Sequence, residues 1–137
     1  MSKMNLGIIG GGQLGSLLSV AAKKLNIQTI IYSDDPDAPA QNFSDDFIFG
    51  NYNDKDKIAE FVNKVDVITY EFENIPFDTL NDINKLKKVL PKPSVNRLIQ
   101  HRLAEKDFVN KLNIRTTRYV SIEKKSDIET LEDFLPG

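Results

Sequence analysis

Leu6 to Gly10 is a short apolar run ended by glycines, the pattern of a strand buried on both faces of a sheet. From Leu14 the apolar residues fall at Leu14, Leu17, Leu18, Ala21, Ala22 and Leu25. That i, i+3, i+4, i+7 series predicts a helix packing this face on the sheet. Thr29–Tyr32 and Phe47–Phe49 read as the next strands, the second closed by Gly50. Asn53 or Asp54 can cap a helix whose face is Ile58, Phe61, Val62 and Val65. Val67–Phe72 then reads as a central strand, Phe77–Lys87 as an amphipathic helix through Leu80, Ile83 and Leu86, and Val89-Leu90 as a last short strand. Strands alternating with helices imply a parallel sheet with right-handed crossovers. The expected class is α/β, an open Rossmann-like domain over residues 1–93.

The texture changes at Pro91-Lys92-Pro93-Ser94, a break that divides two units. Ser94–Leu112 is helical in pattern, with Leu98, Leu103, Phe108 and Leu112 among its apolar positions. Arg115–Ile122 has strand character, and Asp127–Leu135 the pattern of a helix. A helix–strand–helix piece of this size is small to close a core alone. Residues 94–137 are therefore expected to be the first part of a second domain, cut short.

With 137 residues the chain suits one domain, or one and a fragment of another. Its formal net charge of -2 gives no basic field for gripping nucleic acid. It has no cysteine, so disulfides and thiolate metal sites are excluded. Met1-Ser-Lys-Met lacks the apolar stretch of a signal peptide, and no apolar run approaches membrane-spanning length. A cytoplasmic protein with neither membrane nor nucleic-acid partner is expected.

Three clusters carry candidate chemistry. The first, Gly10-Gly11-Gly12-Gln13-Leu14-Gly15, contains G-x-G-x-x-G between a strand and a helix. Glycines let backbone pass close to a ligand, and the following helix points free N–H groups at an anion. The same turn also serves where no ligand binds, because helix–strand packing favours glycine too. An NAD site asks for an acid about 20 positions later to hold the ribose. Asp34 and Asp35 stand near that place, yet Asp34-Asp35-Pro36-Asp37 is equally a turn sequence.

The second cluster is Tyr70-Glu71-Phe72-Glu73-Asn74-Ile75-Pro76. Glu71 and Glu73 project to one face if the strand continues through them. Carboxylates at the carboxyl end of a central parallel strand stand in the crevice where open α/β sheets bind ligands. A carboxylate pair there suits an amine or hydroxyl to be held, while the plainer reading is a pair of solvated loop acids. The third cluster is Gln100-His101-Arg102-Leu103-Ala104-Glu105-Lys106. Arg102 has the planar fork that bonds phosphate oxygens in pairs. Glu105 and Lys106 also fit a solvated helix face. His101 is the single histidine and has no second ligand nearby, so no metal role is expected.

Taken in this order and spacing, GIIGGGQLG, VITYEFENIP and QHRLAEK resemble the amino-terminal third of the 5-(carboxyamino)imidazole ribonucleotide synthetases, a family of the ATP-grasp superfamily. The YEFENIP segment is the specific part of the match. The resemblance implies a pre-ATP-grasp domain over 1–93 that binds no NAD, followed over 94–137 by the first elements of an ATP-grasp domain. It implies an enzyme of purine biosynthesis that activates bicarbonate with ATP, as carboxyphosphate, and carboxylates the exocyclic amine of aminoimidazole ribonucleotide. ATP and Mg2+ would be bound mainly by sequence beyond this chain, so the isolated chain is expected not to hydrolyse ATP. Family members are commonly homodimers.

Carried over by position, Gly11, Gly12, Gln13 and Leu14 would line the ribonucleotide site. Glu73 would be the catalytic residue, accepting hydrogen bonds from the substrate amine, with Tyr70, Glu71 and Asn74 close by. Arg102 would reach the ATP phosphates. Three residues depart from the family pattern: Ser16 for the usual Arg, Ser33 for a common Asp, and His101 for Asp or Asn. Two other readings stay open, an NAD-binding oxidoreductase domain and a stand-alone, non-enzymatic ligand-binding domain.

Overall fold

Four parallel strands form one sheet in the order β3-β2-β1-β4: β1 Asn5–Ile9, β2 Gln28–Ser33, β3 Asp46–Phe49 and β4 Val67–Tyr70. The structure is a computed structural model and describes residues 4–131. Helices α1 Gln13–Lys24, α2 Lys55–Lys64 and α3 Phe77–Leu86 make the crossovers, with a 3-10 turn at Pro39–Asn42. Helices α4 Pro93–Ile99 and α5 Arg102–Lys111 and a 3-10 stretch Lys125–Leu131 follow. The chain divides into two compact units, Met1–Gln100 and His101–Gly137.

Strand register sorts the side chains. β1 pairs Gly7 with Ile30 and Ile68, and Ile9 with Tyr32 and Tyr70, so these positions share a face. On that face Ile9, Ile30, Tyr32 and Ile68 pack with Phe61, Val62 and Val65 of the α2 region and with Leu80 and Ile83 of α3. Gly7 leaves the room that Phe61 takes, for a Cβ there would lie 2.6 Å from the ring. Asp54 is the cap of α2, its Oδ1 accepting from the Lys57 N–H at 3.0 Å. The expected strand at Val89 is a single parallel bridge to Ile68, held by Ile68 N–H to the Lys88 carbonyl at 2.9 Å and Leu90 N–H to the Ile68 carbonyl at 2.8 Å.

The opposite face is thinner, with Ile8, Ile31 and Ala40 at its centre. Here α1 overturns an expectation. Its buried residues are Gly15, Ser16, Ser19 and Ala22, whereas Leu17 is 59% and Leu25 72% exposed. The period of 3.6 is right, but the buried face is turned about a third of the way round, so that Ala22 alone of the expected stripe is buried. A Cβ at Gly15 would stand 2.8 Å from the Gly10 carbonyl, so the helix lies too close to the β1 turn for leucine to fit beneath it. The serine hydroxyls cost little there, since Ser16 Oγ donates to the Gly12 carbonyl at 3.1 Å and Ser19 Oγ to the Gly15 carbonyl at 2.9 Å.

The break at Pro91–Ser94 and the division between units are different places. Helix α4 belongs to the first unit, where Asn96 is fully buried and its Nδ2 donates to the Ile75 carbonyl at 3.0 Å. In the second unit, the described residues Arg115–Ile122 form no strand. Residues 125–131 form a 3-10 helix, and the remainder of the expected 127–135 helix lies outside the described residues.

Ile68 is fully buried at the centre of the larger core. Replacing it by Ala should lower unfolding free energy by about 2–5 kcal/mol, read from urea denaturation. Tyr32 supplies a pH test. Burial, then Asp54 and Asp34, pushes its hydroxyl from 10.0 up to about 12. The neutral form is thus favoured in the folded state, and its contribution is full below pH 10.0 and lost as pH rises through about 12. Tyr32→Phe should flatten that alkaline loss while costing about 1 kcal/mol at pH 8, because the hydroxyl's 2.7 Å bond to the Asn51 carbonyl is gone. Denaturation curves across the alkaline range check both statements.

Candidate functional site

β1 and β4 are neighbours, and the chain leaves β1 toward β2 on one side and β4 on the other. The carboxyl ends of these two strands form the topological switch point, the usual ligand crevice of such sheets. At the β1 end the backbone turns sharply through Gly10, whose φ of 107° lies in the left-handed region that glycine alone enters freely. α1 then starts at Gln13 with Gly12 as its cap, which has no side chain to satisfy the helix's first N–H groups and no acid in the first turn.

Two of those donors are met by the residue that follows the adjacent strand. β4 stops at Tyr70, one further ladder bond joins Glu71 N–H to the Ile9 carbonyl at 3.1 Å, and the Glu71 side chain reaches across. Gly12 N–H donates to Glu71 Oε1 at 2.8 Å and Gly15 N–H to Oε2 at 2.9 Å. Both bonds are charge-assisted and lie at the positive end of the helix dipole. The carboxylate also accounts for two glycines of the G-x-G-x-x-G. A Cβ at Gly10 would collide with Glu71 Cγ, and one at Gly12 would lie 2.8 Å from Glu71 Oε1.

The expected carboxylate pair is divided by this arrangement. Because the strand ends at Tyr70, its alternation does not carry Glu71 and Glu73 onto one face. Glu71 is half-buried on the turn, and Glu73 is exposed. The backbone of Glu73 is fixed all the same: Gln100 Nε2 donates to its carbonyl at 2.6 Å and to that of Ile75 at 2.7 Å. Asn96 and Gln100 thus brace the Glu73–Ile75 segment, a role the sequence reading missed. Its only signal was two amides four apart on one predicted helix.

The other residues of the first unit fall as follows. Gly11 is buried, Gln13, Leu14 and Asn74 are exposed, and Tyr70 is half-buried with its hydroxyl pKa raised by burial. The Ser16 hydroxyl is engaged by the Gly12 carbonyl. Asp35 is a turn residue, its Oδ1 accepting from the Asp37 N–H at 2.9 Å while its own N–H donates to Ser33 Oγ at 3.2 Å. Asp34 lies beside the Tyr52 hydroxyl, whose pKa is raised by burial first and by Asp34 second.

In the second unit His101 caps α5, its Nδ1 accepting from the Ala104 N–H at 3.4 Å. The imidazole therefore stands in for the carboxylate or amide usual at this place. Arg102 opens the helix with its side chain 81% exposed and its Nη1 2.7 Å from Glu105 Oε2. An exposed i, i+3 pair contributes little and exchanges readily for another anion. His101, Arg102, Lys106 and Tyr119 line a hollow of about 410 Å³. Among the described residues no group of three or more His, Cys, Asp and Glu could hold a metal ion, and no helix is long and apolar enough to cross a membrane.

Residues 2–100, the extent of the first unit, match the family described as the ribonucleotide synthetase preATP-grasp domain. The chain belongs to this family. Among its relatives is the N5-carboxyaminoimidazole ribonucleotide synthase of Brucella melitensis, 38% identical over 126 residues, covering 92% of this chain and 34% of that protein. The Staphylococcus aureus N5-carboxyaminoimidazole synthetase complexed with ADP superposes with TM-score 0.82 at 29% identity, over 98% of this chain and 37% of that one. An Aspergillus clavatus N5-carboxyaminoimidazole synthase, in complex with ADP and 5-aminoimidazole ribonucleotide, gives 0.73 at 28% identity over 85% and 31%. The chain spans about a third of the length of these relatives. An NAD-binding oxidoreductase finds no support among them, and two N–H donors of the turn, those of Gly12 and Gly15, are already taken by Glu71.

Gly15 tests the close approach. Alanine is the better helix former by about 1 kcal/mol, but its Cβ would stand 2.8 Å from a backbone carbonyl that cannot rotate away. Gly15→Ala should therefore destabilise by about 1–3 kcal/mol in spite of its propensity, as read from thermal melts.

Proposed function

We propose that this chain is the amino-terminal part of an ATP-dependent ligase that carboxylates aminoimidazole ribonucleotide with bicarbonate in purine biosynthesis. The observation that carries this reading is the meeting of the glycine turn and the Glu71–Pro76 segment at the switch point, within a pre-ATP-grasp domain. The ribonucleotide would lie in this crevice against Gly11, Gly12, Gln13 and Leu14, with Tyr70, Glu71 and Asn74 flanking it. Glu73 would accept the N–H groups of the substrate amine. A carboxylate is all acceptor, so it aims the nitrogen lone pair away from itself and toward the incoming carbon. When the new C–N bond forms, the amine sheds a proton, and the same oxygens are placed to take it.

Arg102 would contact the nucleotide phosphates, for which its exposed guanidinium is free to exchange Glu105. ATP with Mg2+, when bound, would supply the activation of bicarbonate. A cytoplasmic, homodimeric enzyme is part of the same reading.

Two measurements test it. In the protein joined to its remaining domains, Glu73→Gln keeps the shape of the side chain and removes its charge. kcat/KM for the ribonucleotide should fall roughly ten- to a hundredfold, the worth of one charge-assisted bond, with the melting temperature unchanged. Wild-type kinetics would sink the assignment, and early melting would make Glu73 structural. Calorimetric titration with NAD should show no saturable binding, whereas binding abolished by Asp34→Ala would restore the oxidoreductase reading.

A further inference from the structure

In a dinucleotide-binding turn the three glycines have separate tasks: a tight bend, close approach of the pyrophosphate, and close helix–strand packing. Here Gly10 makes the bend at φ 107° and Gly15 sits against the Gly10 carbonyl. The middle task is what changes. The space that Gly12 leaves open is filled by Glu71 Oε1, 2.8 Å from where a Cβ would be. The two N–H groups that would face a diphosphate instead face the two oxygens of one carboxylate, at 2.8 and 2.9 Å. No acid stands in the first turn of α1 and its cap has no side chain, so the helix itself contributes no substitute.

We infer that Glu71 is an internal anion for the glycine turn, a positioning and specificity-determining residue whose carboxylate takes the seat of a phosphate. Its charge meets two of the free N–H groups at the start of α1, those of Gly12 and Gly15, and so ties the turn between them. Its bulk and charge together bar a diphosphate from approaching, since two anions cannot share one pair of donors. The turn keeps the glycine spacing of a nucleotide cradle and has lost the cradle's ligand. The ribonucleotide role of the turn rests on the function proposed above; the identity of its anion does not.

The experiment is anion rescue of melting temperature, with inorganic phosphate as the probe and sodium chloride at equal ionic strength as the reference. Glu71→Ala should melt on the order of 5–10 °C below wild type, because two charge-assisted bonds are lost. About 50 mM phosphate should return roughly 3–6 °C of this, beyond the increment it gives wild type through general salt effects. The seat is then empty and an inorganic ion can fill it. Glu71→Gln, which keeps the shape, should melt early yet show no phosphate excess, since the amide still occupies the space. That variant also serves where Glu71→Ala does not fold. Equal phosphate increments in wild type and Glu71→Ala, or a Glu71→Gln that melts with wild type, would overturn the inference. Neither readout requires the ribonucleotide. Failure of ribonucleotide binding in the wild type would thus count against the proposed function alone, and absence of rescue against Glu71 alone.

Discussion

Glu71 ties the carboxyl end of β4 to the amino end of α1 through two backbone N–H donors, and the rest of the crevice is arranged around that tie. It links residues 56 and 59 positions apart in sequence, so it is a tertiary contact that performs a local task, the capping of a helix. With the turn pinned from one side, the Glu73–Ile75 segment is pinned from the other by Asn96 of α4 and by Gln100 at its C-terminal cap. The exposed groups, Gln13, Leu14, Glu73 and Asn74, are therefore carried on backbone that has little freedom of its own. Rigid support beneath exposed polar groups is what a site needs in order to place a substrate to within fractions of an ångström.

How much of this could be read from the chain differs element by element. Strands β1 to β4 were legible because a doubly covered parallel sheet demands unbroken apolar runs, and Leu6–Ile9, Thr29–Tyr32 and Val67–Tyr70 supply them. The start and the face of α2 were legible for a similar reason, Asp54 being one of the two candidate caps and Phe61–Val62 a strong apolar stripe. The face of α1 was not. Hydrophobicity ranks Leu17 above Ser19, but the distance between helix and turn decides which can be buried, and that distance is set by glycines. Residues 115–122 failed as a strand because strand propensity needs a neighbouring strand to pair with, which no residue in that stretch can announce.

The candidate site followed the same division. That the two motifs meet at one end of the sheet was implied by their place after β1 and β4. Which carboxylate of the Glu71-Phe72-Glu73 triplet faces the turn was not, since the answer depends on the strand ending at Tyr70 rather than two residues later. The bracing amides were invisible for a different reason. Asn96 and Gln100 act on backbone carbonyls, and a carbonyl leaves no trace in the identity of the residue that bears it.

The contact between Gly12 and Glu71 also bears on how such sequences diverge. Two positions far apart in the chain share one small volume, so neither is free to drift alone: a larger residue at 12 is excluded while the glutamate remains, and the glutamate's length is useful only while 12 stays bare. A lineage that shortened residue 71 would release 10 and 12 from their joint constraint and open a hole that a soluble phosphate compound could colonise. One substitution thus separates a closed turn from a nucleotide cradle. In this chain, the glycines at 10 and 12 are better read as a record of what fills the space than as a signature of any ligand.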